Sequence, residues 1–460
     1  MDKKQYVPIM QVTGQSDIKD KLRIAVDLDK EFSLGLTPVV ANQTPAYIKN
    51  LKEIVPENFC VYPFIHLQID PDGRARPCCK YKVGDSSWQH DVPKLPDVNL
   101  DELWHQPELQ ELRGQFLRNE KPSGCRACWD EEKAGIQSMR VTYEDAGKMY
   151  PESTFFAHIP RHSPRSLDLK LSNLCNLKCR ICTPFLSSQW IKEHKDLGLG
   201  DASVIKMYTE NSREKLFKDP VNAELLQTWA KNIDHLEFYG GEPLLQQEHE
   251  QVLSIINDYG NPAQTKIWYN TNTTICEEKF FKLWKNFNEI TISLSIDDIA
   301  ERFEYQRMNA KWTETLDNIN KFKAYGKEYN VNLKLQVYVT VGFLNVLYLK
   351  ELIEFVRDNL QLPIVFNMVH YPHHYSIVNL PEPVKVVVAE KLRSIDLTGV
   401  NMLDWSPTID NLIRFMNDRP FSNEELKVFF FTTKQHDGYR NQEFAKTFPE
   451  LYNLLKEYVA

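Results

Sequence analysis

The sequence predicts an α/β protein built on a parallel sheet covered by helices, and three observations predict it. Short apolar runs alternate with amphipathic stretches from Ser166 onward, the pattern of strands that leave and re-enter one sheet through helices. The chain has 460 residues, 42% hydrophobic and 26% charged, enough for two or three domains with sizeable cores. Its nine cysteines cluster: five between Cys60 and Cys128, three between Cys175 and Cys182, and Cys276 alone. The expected strands are 167–171, 235–239, 266–270, 290–296, 332–340 and 364–369, with helices such as 312–325 and 346–356 between them.

Composition narrows the function classes. A net charge of −8 gives no basic footprint, so a nucleic-acid partner is not favoured, although a local basic groove is not excluded. No apolar run reaches the roughly 20 residues of a membrane span. The start, Met1-Asp2-Lys3-Lys4-Gln5, lacks the apolar core of a signal peptide, and a cytoplasmic location is expected. Clustered cysteines in such a chain read as metal ligands rather than disulfides.

Residues 1–59 are mixed and polar and read as an arm or partner surface. Residues 60–150 form a cysteine module. Phe64 to Ile69 alternates as a strand would, Pro71-Asp72-Gly73 is a turn signal, and Cys78-Cys79 closes a second arm, so a hairpin brings Cys60 towards Cys78. A helical pattern then leads to Cys125-Arg126-Ala127-Cys128, which offers two sulfurs to one centre. Spacing alone fits either a four-cysteine zinc site or an iron–sulfur cluster, and either Cys78 or Cys79 serves as the third ligand.

The central segment, 164–381, carries the densest chemistry. Cys175, Cys179 and Cys182 are spaced C-x3-C-x2-C directly after the first apolar run. Thiolates are soft ligands suited to iron–sulfur clusters or zinc. Three of them on a 4Fe–4S cluster leave one iron open for chemistry. Gly240-Gly241-Glu242-Pro243 follows the second strand; its glycines allow close backbone approach, and its carboxylate suits a cation. The third strand ends in Asn270-Thr271-Asn272-Thr273, and the fourth carries Ser293, Ser295 and Asp297, with Arg307 beyond it. The run His370-Tyr371-Pro372-His373-His374-Tyr375 lies at a strand end, where substrate contact is one reading and an ordinary loop the other. Cys276 reads as a buried small hydrophobe. In 382–460, helices are expected at 384–395, 411–416 and 449–459, another is expected to start at Ser422, and Asp437-Gly438-Tyr439-Arg440 reads as a turn.

These motifs together resemble the radical S-adenosylmethionine (radical SAM) superfamily, and C-x12-G-x4-C followed by C-x2-C resembles its twitch/SPASM auxiliary-cluster module, here placed ahead of the core. The resemblance implies a partial (β/α)6 barrel with a 4Fe–4S cluster on Cys175, Cys179 and Cys182. It implies an auxiliary 4Fe–4S cluster on Cys60, Cys78, Cys125 and Cys128. It assigns SAM to Gly240, Gly241, Glu242, Pro243, Asn270, Ser293, Ser295 and Arg307, the last suited to a carboxylate by its planar fork. The implied activity is reductive cleavage of SAM to a 5′-deoxyadenosyl radical that takes a hydrogen atom from a substrate. A peptide is the first substrate expected, and a nucleotide, nucleobase or small metabolite the alternative. A reductant such as flavodoxin or ferredoxin is the expected partner. The competing class is a metal-stabilised binding protein without catalysis. The sequence departs from the family's pattern at Thr273, Asp298 and Ile181, where relatives carry glycine, glycine and an aromatic residue.

Overall fold

The computed structural model describes residues 56–82, 92–133, 138–141 and 163–458. The expected arm, 1–59, lies almost wholly outside these residues. Ten strands are present among them: β1 (His66–Ile69), β2 (Ala75–Arg76), β3 (Ser166–Leu169), β4 (Lys178–Cys179), β5 (His235–Phe238), β6 (Lys266–Thr271), β7 (Glu289–Ser295), β8 (Arg307–Met308), β9 (Leu333–Val341) and β10 (Ile364–Met368). The six strands expected after Ser166 are β3, β5, β6, β7, β9 and β10, displaced by no more than two residues at either end. The chain divides into two compact units, one of Met1–Leu171, Lys215–Glu237 and Gln251–Thr265, the other of Ser172–Glu214, Phe238–Glu250 and Lys266–Ala460.

In the first unit the strand order is β5-β3-β1-β2. The expected hairpin is β1–β2, antiparallel with Gln68 opposite Arg76. Gly73 closes its turn at φ +86°, and a Cβ there would stand 2.3 Å from the Leu95 carbonyl oxygen, so only glycine fits. Two features depart from expectation. Tyr62–Ile65 is a helical turn rather than the start of the strand, because Pro63 stands where its fixed φ favours a first turn. And β1 pairs in parallel with β3, His66 beside Ser166 through Ile69 beside Leu169. One face of these strands (Leu67, Ile69, Leu167, Leu169, Leu236) is apolar and buried. The helix Leu100–Trp104 begins with a reciprocal cap: Asn99 accepts from the Glu102 N–H at 3.0 Å, and Glu102 accepts from the Asn99 N–H at 2.8 Å.

In the second unit β10, β9, β7 and β6 are parallel neighbours in that order. Along β6, Ile267, Tyr269 and Thr271 are buried while Lys266, Trp268 and Asn270 are half-buried, the period-two signature of a strand with unlike faces. Phe280, Phe281, Trp284, Ile319 and Phe322 of the helices Glu278–Trp284 and Trp312–Glu328 are fully buried, each worth roughly 2–3 kcal/mol of transfer free energy. The buried Tyr269 hydroxyl is satisfied by His249 at 2.7 Å and by the Trp284 indole N–H at 3.0 Å. A separate ribbon pairs β4 with β8 and sets Cys179 opposite Arg307.

The C-terminal helices are Glu382–Arg393, Ile409–Met416, Asn423–Arg440 and Pro449–Leu455. Ser422 caps the third, its hydroxyl accepting from the Glu425 N–H at 3.3 Å. The turn expected at Asp437–Arg440 is instead the last turn of that helix. The stop comes one residue later, where Asn441 takes the left-handed conformation at φ +52°. Among the described residues no helix is long and apolar enough to cross a membrane.

Candidate cluster and cofactor sites

In the first unit, Cys60, Cys78, Cys125 and Cys128 line one pocket, together with Tyr62, Phe116, Lys80 and Arg140. The β1–β2 hairpin delivers Cys60 and Cys78 from its two ends, and a 3-10 turn (Ser123–Cys125) leading into the helix Arg126–Lys133 delivers the other pair. Cys79 does not line the pocket and is exposed. Gly124 is obligatory beside it, since a Cβ would lie 2.6 Å from the Tyr81 ring. Burial pushes all four thiols up, and for Cys60, Cys78 and Cys125 the neighbouring cysteines add to the rise. Bound cationic metal would reverse that penalty. Among the described residues no three His, Cys, Asp or Glu side chains stand close enough to share a single ion.

The second unit builds the three-thiol loop. Asn173 anchors its base, donating from Nδ2 to the carbonyls of Pro184 at 2.7 Å and Tyr208 at 3.0 Å. The Cys175 sulfur accepts from the Leu177 N–H at 3.4 Å and from Asn272 Nδ2 at 3.8 Å. The Cys179 sulfur accepts from Arg307 Nη1 at 3.7 Å. Burial, then the neighbouring Cys179 thiol, pushes Cys175 up to about 12; burial and both neighbours also raise Cys182. Three mutually repelling thiols, Cys175 buried and Cys179 and Cys182 half-buried, suit deprotonation by a bound cationic cluster.

Gly240 and Gly241 have φ of +78° and +63°. A Cβ on Gly241 would lie 2.4 Å from the Leu174 carbonyl oxygen, so this glycine seats the segment against the cysteine loop itself. The Glu242 N–H then donates to Leu174 at 2.8 Å, and Pro243 begins a short 3-10 turn. The Glu242 carboxylate is fully buried and accepts from Thr271 Oγ1 (2.8 Å), the Asn272 N–H (2.7 Å) and the Leu244 N–H (3.3 Å). Burial raises it to about 7 despite these bonds. Asn272 therefore ties its own turn to Glu242 and to the cysteine loop, the latter through Cys175 and a 2.8 Å bond to the Asn176 side chain. Thr273, where relatives carry glycine, holds φ +67°.

Register places Asn270 beside Ser293. Asn270 Oδ1 is buried without a hydrogen-bond partner, Ser293 accepts from Gln336 Nε2 at 2.9 Å, and Ser295 is half-buried. Arg307 is buried, not a solvated helix charge. Its Nη2 donates to Asp297 at 2.6 Å, and among the described residues Nε has no partner. Asp297 also accepts from the Thr340 N–H at 2.9 Å. Two unpartnered buried atoms, Asn270 Oδ1 and Arg307 Nε, thus fit a polar cofactor with an acceptor for the guanidinium.

The C-terminal helix Asn423–Arg440 clamps the cysteine loop, which the sequence did not indicate. Arg180, between two of the cysteines, is buried and bonded to Asp437 and, at 2.8 Å, to Gln442, with its guanidinium over the Tyr305 ring. Buried Glu193 accepts from His436 (2.6 Å), Arg440 Nε (3.0 Å) and Lys178 (3.0 Å). His436 and Arg440 lie 243 and 247 residues from Glu193, and Asp437 lies 257 from Arg180, beyond any spacing rule. His373–Tyr375 forms a 3-10 turn with Tyr371 exposed, and Cys276 is half-buried rather than buried.

Comparison with known proteins finds two domains. Residues 60–129 match the iron–sulfur cluster-binding SPASM domain, and 169–356 match the radical SAM superfamily. GTP 3′,8-cyclase 3 of Mycobacterium bovis is 26% identical over 197 residues, 42% of this chain and 46% of that protein. The chain thus spans about half the length of the curated relatives it matches. Among solved structures, anSMEcpe with bound AdoMet is 17% identical with a TM-score of 0.36, over 52% of this chain and 63% of that one. Streptococcus suis SuiB bound to the precursor peptide SuiA is 14% identical with a TM-score of 0.35, over 70% and 68%.

Proposed function

We propose that the chain, whose residues 60–129 match the SPASM domain and 169–356 the radical SAM superfamily, is a SAM-cleaving enzyme that abstracts a hydrogen atom from a peptide or protein. The observation that carries the reading is the convergence of Asn272, Arg307 and the Glu242 segment on the thiols of Cys175 and Cys179 and on their loop. A binding protein without catalysis needs none of these groups buried together. When bound, a 4Fe–4S cluster with one open iron supplies one-electron reductive cleavage of SAM, and through it removal of a substrate hydrogen atom. Cys175, Cys179 and Cys182 hold that cluster. The Gly240–Pro243 segment receives the methionine amine, Asn270, Ser293 and Ser295 border the ribose, and Arg307 takes the carboxylate. Cys60, Cys78, Cys125 and Cys128 hold the auxiliary cluster, leaving Cys79 outside it. A flavodoxin or ferredoxin delivers the electron.

The SPASM domain supports a peptide, since such modules accompany peptide modification within the family. The match to a GTP 3′,8-cyclase favours a second reading, a nucleotide. The test is anaerobic turnover with dithionite and SAM. 5′-Deoxyadenosine is expected from wild type and not from the Cys175→Ala/Cys179→Ala/Cys182→Ala variant. Stimulation by peptide pools rather than GTP supports the first substrate class; stimulation by GTP alone selects the second. Absence of 5′-deoxyadenosine from iron-replete protein sinks the enzyme reading.

A further inference from the structure

The first unit has a second buried face that the cluster pocket does not use. Opposite its apolar face, β1, β3 and β5 carry His66, Gln68, Ser166, Asp168, His235 and Glu237, with Asp70 and Lys170 next in line at the ends of β1 and β3. His66, Gln68, Asp70 and Asp168 are at most 2% exposed. A strand face that is buried and polar at once is costly unless its groups are satisfied.

Part of this face is satisfied internally. Asp70 is held by Gln68 at 2.7 Å, Lys170 at 3.1 Å and Arg76 at 2.5 Å. His66 Nδ1 meets Ser166 Oγ at 2.8 Å, and His235 Nε2 donates to Glu237 at 3.0 Å. Among the described residues, Gln68 Oε1, His66 Nε2 and His235 Nδ1 are buried without hydrogen-bond partners. Gln68 Oε1 is an acceptor, and so is His235 Nδ1 in the neutral ring whose proton sits on Nε2. Among the described residues the face carries the carboxylates Asp70, Asp168 and Glu237 and the cations Lys170 and Arg76. Glu237 and His235 keep 32% and 21% of their side-chain surface accessible, which leaves that end open to a ligand. Free acceptors beside the part-exposed Glu237 carboxylate suit a cation that donates hydrogen bonds.

We propose that this face of β1, β3 and β5 binds the cationic side chain, alkylammonium or guanidinium, of a peptide substrate. The proposal rests on the peptide reading above. It also gives β1, a strand of the cysteine module, a role in recognition separate from cluster binding. The face lies immediately upstream of the cysteine loop in the chain, Lys170 preceding Cys175 by five residues.

The experiment is selection from a random peptide display library by the anaerobically reconstituted, full-length protein with SAM present. Wild type is expected to enrich Lys or Arg at one position about tenfold over Gln or Leu, the size of one charge-assisted hydrogen bond. Glu237→Gln is expected to reduce that enrichment about tenfold. Gln68→Met, which removes an acceptor and no charge, is expected to reduce it less; it serves as the second variant should the first fail to fold. Enrichment of acidic or apolar residues, no enrichment, or a cationic preference that persists in a folded variant overturns the proposal. A separate assay of 5′-deoxyadenosine formation without peptide tests the enzyme reading by itself. SAM cleavage without cationic selection sinks this inference alone, whereas selection without SAM cleavage sinks the functional reading and leaves the binding site standing.

Discussion

The four-cysteine pocket of the first unit and the three-cysteine loop of the second are built from the same ligand type, yet their surroundings differ. The pocket is lined by the aromatic rings of Tyr62, Tyr81 and Phe116 together with Lys80 and Arg140, and four sulfurs would leave a cubane cluster no free corner. The loop offers three sulfurs, and polar side chains from elsewhere in the sequence approach them: Asn272 at Cys175 and Arg307 at Cys179. A closed ligand set stabilises and an open one reacts, the distinction drawn between structural and catalytic metal sites. Cysteine number and neighbouring side chains, more than the cysteines themselves, distinguish the two sites.

Iron content is the largest way to break this comparison. About eight irons per chain are expected in reconstituted wild type, about four after Cys175→Ala/Cys179→Ala/Cys182→Ala, and about four after Cys60→Ala/Cys78→Ala/Cys125→Ala/Cys128→Ala. Cys79→Ala should leave iron unchanged; a loss of iron there would return Cys79 to the ligand set. Next in size is Asp297→Ala, which strands the buried Arg307 charge next to Cys179 and should cost about 3–5 kcal/mol, read as a lowered denaturation midpoint. An unchanged midpoint would mean that Arg307 finds another partner.

The clamp on the loop should respond to acid. Burial alone would raise Glu193, but the His436 hydrogen bond and the Arg440 charge hold it down to about 2. A depressed carboxylate contributes stability that is complete above its unfolded value near 4.5 and is lost as the pH falls from there towards 2. That contribution is on the order of 3 kcal/mol. Glu193→Gln should therefore unfold at a pH-independent midpoint over a window in which wild type declines, as circular dichroism across pH 2–6 would reveal. Glu242→Gln removes the charge proposed to face the methionine amine and should weaken SAM binding about tenfold in equilibrium dialysis, with iron retained. The smallest effect is expected from Ser422→Ala, which removes the cap of the clamping helix at a cost of about 1 kcal/mol.

Much of the fold was legible because strands buried in parallel sheets read as apolar runs with local boundaries. The six sheet strands from Ser166 onward were visible this way, as was the Ser422 cap, but the two-residue strands β4 and β8 were too short to leave a pattern. The β1–β3 pairing was not, because nothing in Phe64–Ile69 states which edge the strand will join. The glycines of the Gly240 segment were visible as permissive backbone, but their partner, the Leu174 carbonyl oxygen, was not. Asp437 and Arg440 read as turn residues because Gly438 beside them is a local turn signal. Their bonds to Arg180 and Glu193 come from a distant loop and leave no trace in local spacing.

The sequence by itself determined the α/β class, the two cysteine motifs and the family, because each depends on residue type and short spacing. Only the tertiary structure decided that Cys78 rather than Cys79 shares the pocket with Cys60, that Asn272 and Arg307 reach the thiols, and that a polar face is buried along β1, β3 and β5. These are meetings of groups far apart in the chain, and burial then sets the charge and hydrogen bonding of each, which no run of neighbouring residues encodes.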